Sequence, residues 1–262
     1  MTTTTIDLAA AAEALYEAEL QRHPIPPLAT SFGTVDVTAA YGIQQRIVAR
    51  RVGAGESIVG WKLGLTSAAM QAQLGVDQPD YAPILSGQLL PDGAAVERAA
   101  LIAPRVEAEI CVRLNRPLKG PGITFEDVVV AVDAVAPAVE VIDSRIADWK
   151  ITLADTIADL ASCARVVVAA DWVPLRDIDL RLVGVVLERD GEVVGTGAGA
   201  ACLGHPLAAV AWAANQLGSL GETLEPGQPI MPGALHASVA VTGPSVFRAR
   251  FDRLGDVSVR FS

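Results

Sequence analysis

The sequence predicts an α+β fold, a β-rich core preceded by a helical N-terminal segment. Through residue 57 apolar residues recur at helical spacing, whereas from Ile58 onward the chain breaks into short apolar runs cut by Gly and Pro. No repeat at a fixed period and no long linker interrupts it. Residues 1–57 are therefore expected to form the helical segment, and 58–262 the β-rich catalytic core, of one continuous domain.

Thr5 to Glu19 is the first expected helix, and Val37 to Val52 repeats the pattern with Asp36 placed as an N-cap. Strands are expected at Ile58–Leu65, Val106–Leu114, Val135–Ile142, Leu182–Glu188, Glu192–Gly197, Ala237–Val241, Val246–Phe251 and Val257–Phe261. Helices interrupt them at Ser67–Leu74, from Thr124–Asp127 into the apolar run behind it, at Leu153–Ala161 and at His205–Leu220. The last has Pro206 in its first turn and Gly221 just past its end. Pro91-Asp92-Gly93 and Lys119–Gly122 read as turns, and Asp190-Gly191 between two strand runs predicts a type I′ hairpin.

At 51% hydrophobic and 19% charged residues, the 262-residue chain is globular rather than disordered. The net charge is −10, and the densest basic group, Arg46, Arg50 and Arg51, suits the polar face of a helix. Nucleic acid and anionic membranes are poor partners for such a surface. No apolar run approaches the roughly 20 residues of a membrane span. The first twenty residues carry Asp7, Glu13, Glu17 and Glu19 without a basic leader, so a cytoplasmic location is expected. Cys111, Cys163 and Cys202, odd in number and set in apolar stretches, read as buried small hydrophobes.

Chemistry concentrates in three places. Along Arg105-Val106-Glu107-Ala108-Glu109-Ile110, strand alternation points Glu107 and Glu109 the same way. That pair suits a solvated strand face or a cation lying between the carboxylates. Glu140, inside the apolar Pro137–Ile142 run, needs a partner. Three carboxylates converging from two strands, with no His or Cys pair at ligand spacing, suit a hard ion such as Mg²⁺ or Mn²⁺; an ion pair of Glu140 with Arg145 or Lys150 is the other reading. Lys62, in a Gly-flanked apolar strand, either supplies charge to a substrate or snorkels to the surface. Of Asp143, Asp148, Asp155 and Asp159, one or two are expected to cap helices.

Two further motifs are set aside. Gly195-Thr196-Gly197-Ala198-Gly199-Ala200 resembles a dinucleotide fingerprint, but it falls late in the chain and Glu222 follows a helix rather than a second parallel strand. His23, His205 and His236 stand apart from any Ser or Cys nucleophile signature.

With these residues in view, the sequence resembles the 2-keto-4-pentenoate hydratase and 4-oxalocrotonate decarboxylase family of the fumarylacetoacetate hydrolase superfamily, over nearly the whole chain. The resemblance is carried by Gly60–Thr66, Gly75–Tyr81, Pro104–Ile110, Glu140–Ile146, Asp155–Asp159 and Leu203–Pro206. It implies a mixed β-roll or barrel preceded by helices. It also implies Mg²⁺ or Mn²⁺ on Glu107, Glu109 and Glu140, with Lys62, Asp80 and Ser162 as the other active-site positions. The implied substrates are short unsaturated 2-oxo acids from the breakdown of aromatic compounds, and the implied assembly is a homo-oligomer, with association with another pathway enzyme as a further option.

Hydration of 2-hydroxypenta-2,4-dienoate to 4-hydroxy-2-oxopentanoate is the expected reaction. Asp80 would do acid–base work, Lys62 would bind substrate charge or tune a neighbour, and Ser162 would hydrogen-bond substrate or water. Asp80, within Gln-Pro-Asp-Tyr, favours hydratase over the decarboxylase alternative, where an apolar residue tends to stand. A carbon–carbon hydrolase is the third enzymatic reading, and its His–Glu lid signature is not visible. The chain departs from the family pattern at Leu160, usually Asn, at Ala82, usually Gly, and at Pro232, often Thr. Leu160 removes hydrogen-bonding capacity beside Ser162, which keeps open a changed substrate or an inactive partner subunit.

Overall fold

The computed structural model describes residues 6–262 apart from 68–70, 72–75 and 77. The expected helix at Ser67–Leu74 falls largely outside the described residues.

Three helices open the chain: α1 (Leu8–Gln21), α2 (Leu28–Phe32) and α3 (Val37–Gly53). Asp7 caps α1 by accepting the Ala9 and Ala10 amides, and Asp36 caps α3 through the Ala39 amide, which satisfies donors a first turn leaves free. Their apolar stripes, with Ala11 and Leu15 on α1 and Ala40, Ile43 and Ile47 on α3, share one buried cluster with Ala82, Ile157 and Leu160 of the β-rich part. Two polar ties fix this packing: Gln44 donates to the carbonyls of Tyr81 and Ile157, and the Leu28 amide donates to Asp155.

The remaining elements are β1 (Ile58–Gly64), β2 (Asp80–Leu85), β3 (Leu89–Pro91), β4 (Ala95–Val96), β5 (Arg105–Leu114), α4 (Phe125–Ala131), β6 (Val132–Ile142), α5 (Leu153–Ala158), β7 (Cys163–Val168), β8 (Val173–Pro174), β9 (Gly184–Arg189), β10 (Glu192–Ala198), α6 (Pro206–Ser219), β11 (Pro229–Met231), β12 (Val239–Ala240), β13 (Ser245–Phe251) and β14 (Gly255–Phe261). They form a curled mixed sheet in the order β2-β1-β11-β5-β6-β7-β3, with β12 added to β5 and β8 to β6, and a second sheet in the order β10-β9-β13-β14-β4. Residues from one face of β5 and β6, among them Val106, Ala108, Ile110, Val139 and Val141, pack in one core with Phe247, Val259 and Phe261 of the second sheet. Each of the Val, Ile and Phe side chains among them contributes about 1.5–3 kcal/mol by leaving water. The opposite face of the curled sheet carries Cys111, Ala138, Cys163 and Met231 in a smaller apolar cluster, and beside it the charged residues.

Local expectations and structure agree where a side chain has one clear task. Thr124 with Asp127 and Thr152 with Asp155 form capping boxes at α4 and α5. Asp190 (φ 53°) and Gly191 (φ 87°) turn the β9–β10 hairpin with the positive φ pair a type I′ turn requires. Cys111, Cys163 and Cys202 are free and buried. Elsewhere the reading needs correction. The strand expected at Ala237–Val241 shrinks to Val239–Ala240, because the loop ahead of it meets β5 through other groups. The helix expected to reach Ala161 ends at Ala158, and β2 and β7 were not anticipated as strands. No helix among the described residues is long and apolar enough to cross a membrane.

Candidate metal centre

Strand register assembles the charged cluster. β5 and β6 pair antiparallel with Glu107 opposite Glu140, and Glu109 lies two residues along the same face of β5. One carboxylate oxygen from each of Glu107, Glu109 and Glu140 lies within 4.8 Å of the other two. Two strands away from β5 across the sheet, β1 brings Lys62 beside Ala82 of β2 and sets Gly64 opposite Asp80. The structure thus brings Lys62, Asp80, Glu107, Glu109 and Glu140 into one electrostatic neighbourhood. Ser162 adjoins it through its neighbour Ala161, with its own hydroxyl on Asp159 at 3.4 Å.

Glu109 and Glu140 are fully buried, which removes the solvated-face reading for this part of β5, while Glu107 is half-buried at the open end. Glu140 does take an ion pair, but from Lys62 (Nζ to Oε1, 3.2 Å) and not from Arg145 or Lys150, whose partners are Asp159 and Asp148. Lys62 is itself 3% exposed, so it does not snorkel; its Nζ also donates to the Ala161 carbonyl at 2.8 Å.

The charge in this cluster is unbalanced. Glu109 Oε2 accepts the Gly233 amide at 2.8 Å, but its Oε1 has no hydrogen-bond partner. Apart from Lys62 and the neighbouring Cys163 thiol, neither Glu140 oxygen has one either. Burial, and then the Glu140 carboxylate, push Glu107 up to about 7 and Glu109 well above the ordinary carboxylate range. Burial also raises Asp80, against the pull of Lys62. For Lys62 burial acts downward, yet Glu140 and then Asp80 outweigh it and the ammonium is held more firmly than in water. Buried oxygens that lack donors and repel one another are what a bound cation would satisfy. Oxygens on one Mg²⁺, each at about 2.1 Å, stand at most roughly 4.2 Å apart. The observed spread is within reach of a small side-chain rotation, and an all-oxygen donor set matches a hard divalent ion.

Backbone groups complete the centre, and no residue-type pattern announces them. Between its contacts with β11 and β12, β5 has a gap in its ladder, filled by the Leu235 amide on the Ala108 carbonyl, by His236 Nε2 accepting the Ala108 amide, and by the Gly233 amide on Glu109. Gly64 is required by close approach, since a Cβ there would stand 2.1 Å from Asp80 Oδ1. A Gly64→Ala substitution is therefore expected to displace Asp80. It should lower kcat at least tenfold, while an overpacking cost of about 1–3 kcal/mol leaves a folded protein by circular dichroism. Leu160, two residues before Ser162 and apolar where the family pattern has Asn, belongs to the apolar cluster under α1 and α3. Gly195–Ala200 is the end of β10 and its following turn, where Gly197 and Gly199 let the Leu235 and Leu180 carbonyls approach closely.

A curled mixed sheet that packs on a second sheet and gathers three strand carboxylates beside a buried lysine defines an oxygen-donor centre on an α+β scaffold. The chain belongs to the fumarylacetoacetate (FAA) hydrolase family, whose C-terminal model matches residues 57–262. It is 45% identical over 252 residues to a 4-oxalocrotonate decarboxylase of Pseudomonas putida, covering 96% of each chain. It is 43% identical over 251 residues to a 2-keto-4-pentenoate hydratase of Paraburkholderia xenovorans (strain LB400), covering 96% of this chain and 93% of the relative. Among solved structures, the 4-oxalocrotonate decarboxylase from Pseudomonas putida G7, complexed with magnesium and adipate, superposes with a TM-score of 0.93 at 43% identity over 97% of each chain.

Proposed function

We propose that this protein is a divalent-metal-dependent hydro-lyase that adds water to 2-hydroxypenta-2,4-dienoate, or a close analogue, to give a 4-hydroxy-2-oxo acid. The observation that carries the reading is the convergence of Glu107 with the buried, donor-poor carboxylate oxygens of Glu109 and Glu140 beside one ammonium. Those three residues would hold Mg²⁺ or Mn²⁺, as their oxygen donors suit, and a solved relative of 43% identity carries magnesium. Such an ion, when bound, neutralises the substrate's carboxylate and C2 oxygen and favours the enolate form.

The chain's own residues do the rest. Lys62, fixed between Glu140 and the Ala161 carbonyl, presents positive charge to the anionic head of a 2-oxo acid. Asp80 has both oxygens buried without a well-formed hydrogen bond, near the Thr156 hydroxyl and Gly64 amide, and its raised pKa suits a group that takes and returns a proton at the substrate's carbon chain. Ser162, on a long 3.4 Å contact with Asp159, has a hydroxyl free to turn to substrate or water. The half-buried edge at Glu107 is the side from which a small acid would enter.

Decarboxylation of a 2-oxo-3-hexenedioate is the second reading, favoured by the relatives named for it, and it uses the same enolate stabilisation. Asp80 favours hydration, because loss of CO₂ from C6 leaves its electron pair in the dienolate at C2 and consumes no water, so it gains nothing from a carboxyl that could activate one. The test offers purified protein and Mg²⁺ both substrates. Bleaching of the dienol with formation of the 4-hydroxy-2-oxo acid, reduced about 10²-fold or more in D80N, is expected. CO₂ release from the dicarboxylate with no hydration would replace this reading by the second.

A further inference from the structure

The turn between α5 and β7 has a conformation that local sequence does not favour. Leu160, Ala161 and Ser162 follow one another with φ of 55°, 49° and 56°. L-residues other than Gly, Asn and Asp rarely enter this left-handed region, and then as single residues. Such runs persist only where the surroundings over-determine them, and they cluster at functional sites.

The over-determination is visible. Arg145, 3% exposed, donates its backbone amide and Nε to the Asp159 carboxylate, Nη2 to the Asp159 carbonyl and Nη1 to the Asp143 carbonyl. Ser144 and Ser162 place their hydroxyls on the same carboxylate. The Ser162 amide donates to the Asp159 carbonyl at 2.9 Å, and the Ser162 carbonyl accepts the Asp143 amide at 2.8 Å. Both ends of the tripeptide are thus tied to Asp143–Arg145, which continues the chain from β6 just after Glu140. The turn delivers one backbone oxygen into the centre, the Ala161 carbonyl at 2.8 Å from Lys62 Nζ.

We propose that Asp159, locked by Arg145, is a positioning residue for Lys62: it holds the left-handed turn that aims the Ala161 carbonyl at the ammonium. The inference deepens the function proposed above and rests on Lys62 being the ammonium that meets substrate. Lysine is a point charge on a flexible four-carbon stem, and a single carboxylate partner does not fix its direction. A second acceptor does. Glu140 on β6 and the turn anchored to the segment after β6 give Lys62 two partners on one rigid support.

The test combines D159N with K62M, and its readout is oxalate affinity of the Mg²⁺-loaded protein by calorimetry, since oxalate mimics the 2-oxo acid head. In the Lys62 background D159N should weaken oxalate binding by about 10- to 100-fold, as loss of an orienting partner does elsewhere, with Mg²⁺ affinity held. In the K62M background D159N should add no further loss. Equal weakening in both backgrounds would mean that Asp159 acts on the fold generally and would overturn the proposal. A crystal structure of D159N is the second measurement, independent of whether K62M folds: the Ala161 oxygen is expected outside hydrogen-bond range of Lys62 Nζ, and retention of that contact overturns the idea. If the wild-type protein binds neither Mg²⁺ nor oxalate, the metal reading fails, and the D159N structure still decides the positioning role.

Discussion

Glu109→Gln is expected to cut turnover steeply and, in the same protein, to raise the stability of the metal-free fold. Glutamine keeps the shape of the side chain and can still accept the Gly233 amide, but it cannot give a divalent ion an anionic oxygen. Loss of one of three carboxylates should lower kcat/KM by roughly 10³-fold, the scale of losing one main electrostatic stabiliser. Mg²⁺ binding by calorimetry should fall with it. Stability moves the other way because Glu109's pKa is raised by burial first and by Glu140 second. A raised carboxylate pKa destabilises the fold by an amount absent below the ordinary carboxylate range and growing as pH rises above it toward the folded value. Removing the ionisable group removes that cost, so E109Q without metal should melt higher than metal-free wild type at pH 7.5. Added Mg²⁺ should then raise the Tm of wild type, through linkage, and leave that of E109Q unchanged. An E109Q protein that keeps wild-type Mg²⁺ affinity would remove the centre proposed here.

The parts of this centre that could be read in the sequence are those that follow from alternation and from the cost of burying charge. Glu107 and Glu109 had to share a face, and a glutamate inside Pro137–Ile142 had to find a partner. The ion-pair partner offered as the other reading, Arg145 or Lys150, was the wrong cation because Lys62 and Glu140 are far apart in the chain and meet only after β1, β11, β5 and β6 have assembled. β2 escaped notice because all six of its residues are buried, which erases alternation, and because Pro83 argues against a strand; its place at the end of the sheet order is where a proline is tolerated. β7 follows a helix without a turn residue, so Leu160 and Ala161 read as more helix when Leu160–Ser162 is a left-handed break. The Gly233 amide and the Ala161 carbonyl are backbone groups, and every residue but proline carries both kinds. Leu160 looked like a loss of polarity at the site, and only the packing under α1 and α3 shows why an apolar side chain stands there.

Lys62→Met should produce the largest loss of stability of any single change in the centre, opposite in sign to E109Q although both remove one charge from the same cluster. Methionine fills the volume of the lysine stem, so packing is nearly conserved. What disappears is the ammonium facing Glu140 at 3.2 Å and acting on Asp80, and both acids remain fully buried. Breaking a buried pair by removing one partner costs about 3–5 kcal/mol. In a chain of this size that is a fall in Tm of roughly 6–20 °C. Turnover should fall about 10³-fold as well, because the positive charge offered to the substrate is gone. Mg²⁺ supplies positive charge to the same carboxylates, so it should raise the Tm of K62M by more degrees than it raises that of wild type. The two variants together therefore test the charge imbalance itself. If the cluster were a closed structural network, removing an acid and removing the base would both lower the metal-free Tm. Only a centre with more negative charge than its lysine can neutralise is stabilised by the first change and damaged by the second, and paired melting curves with and without Mg²⁺ separate the two cases.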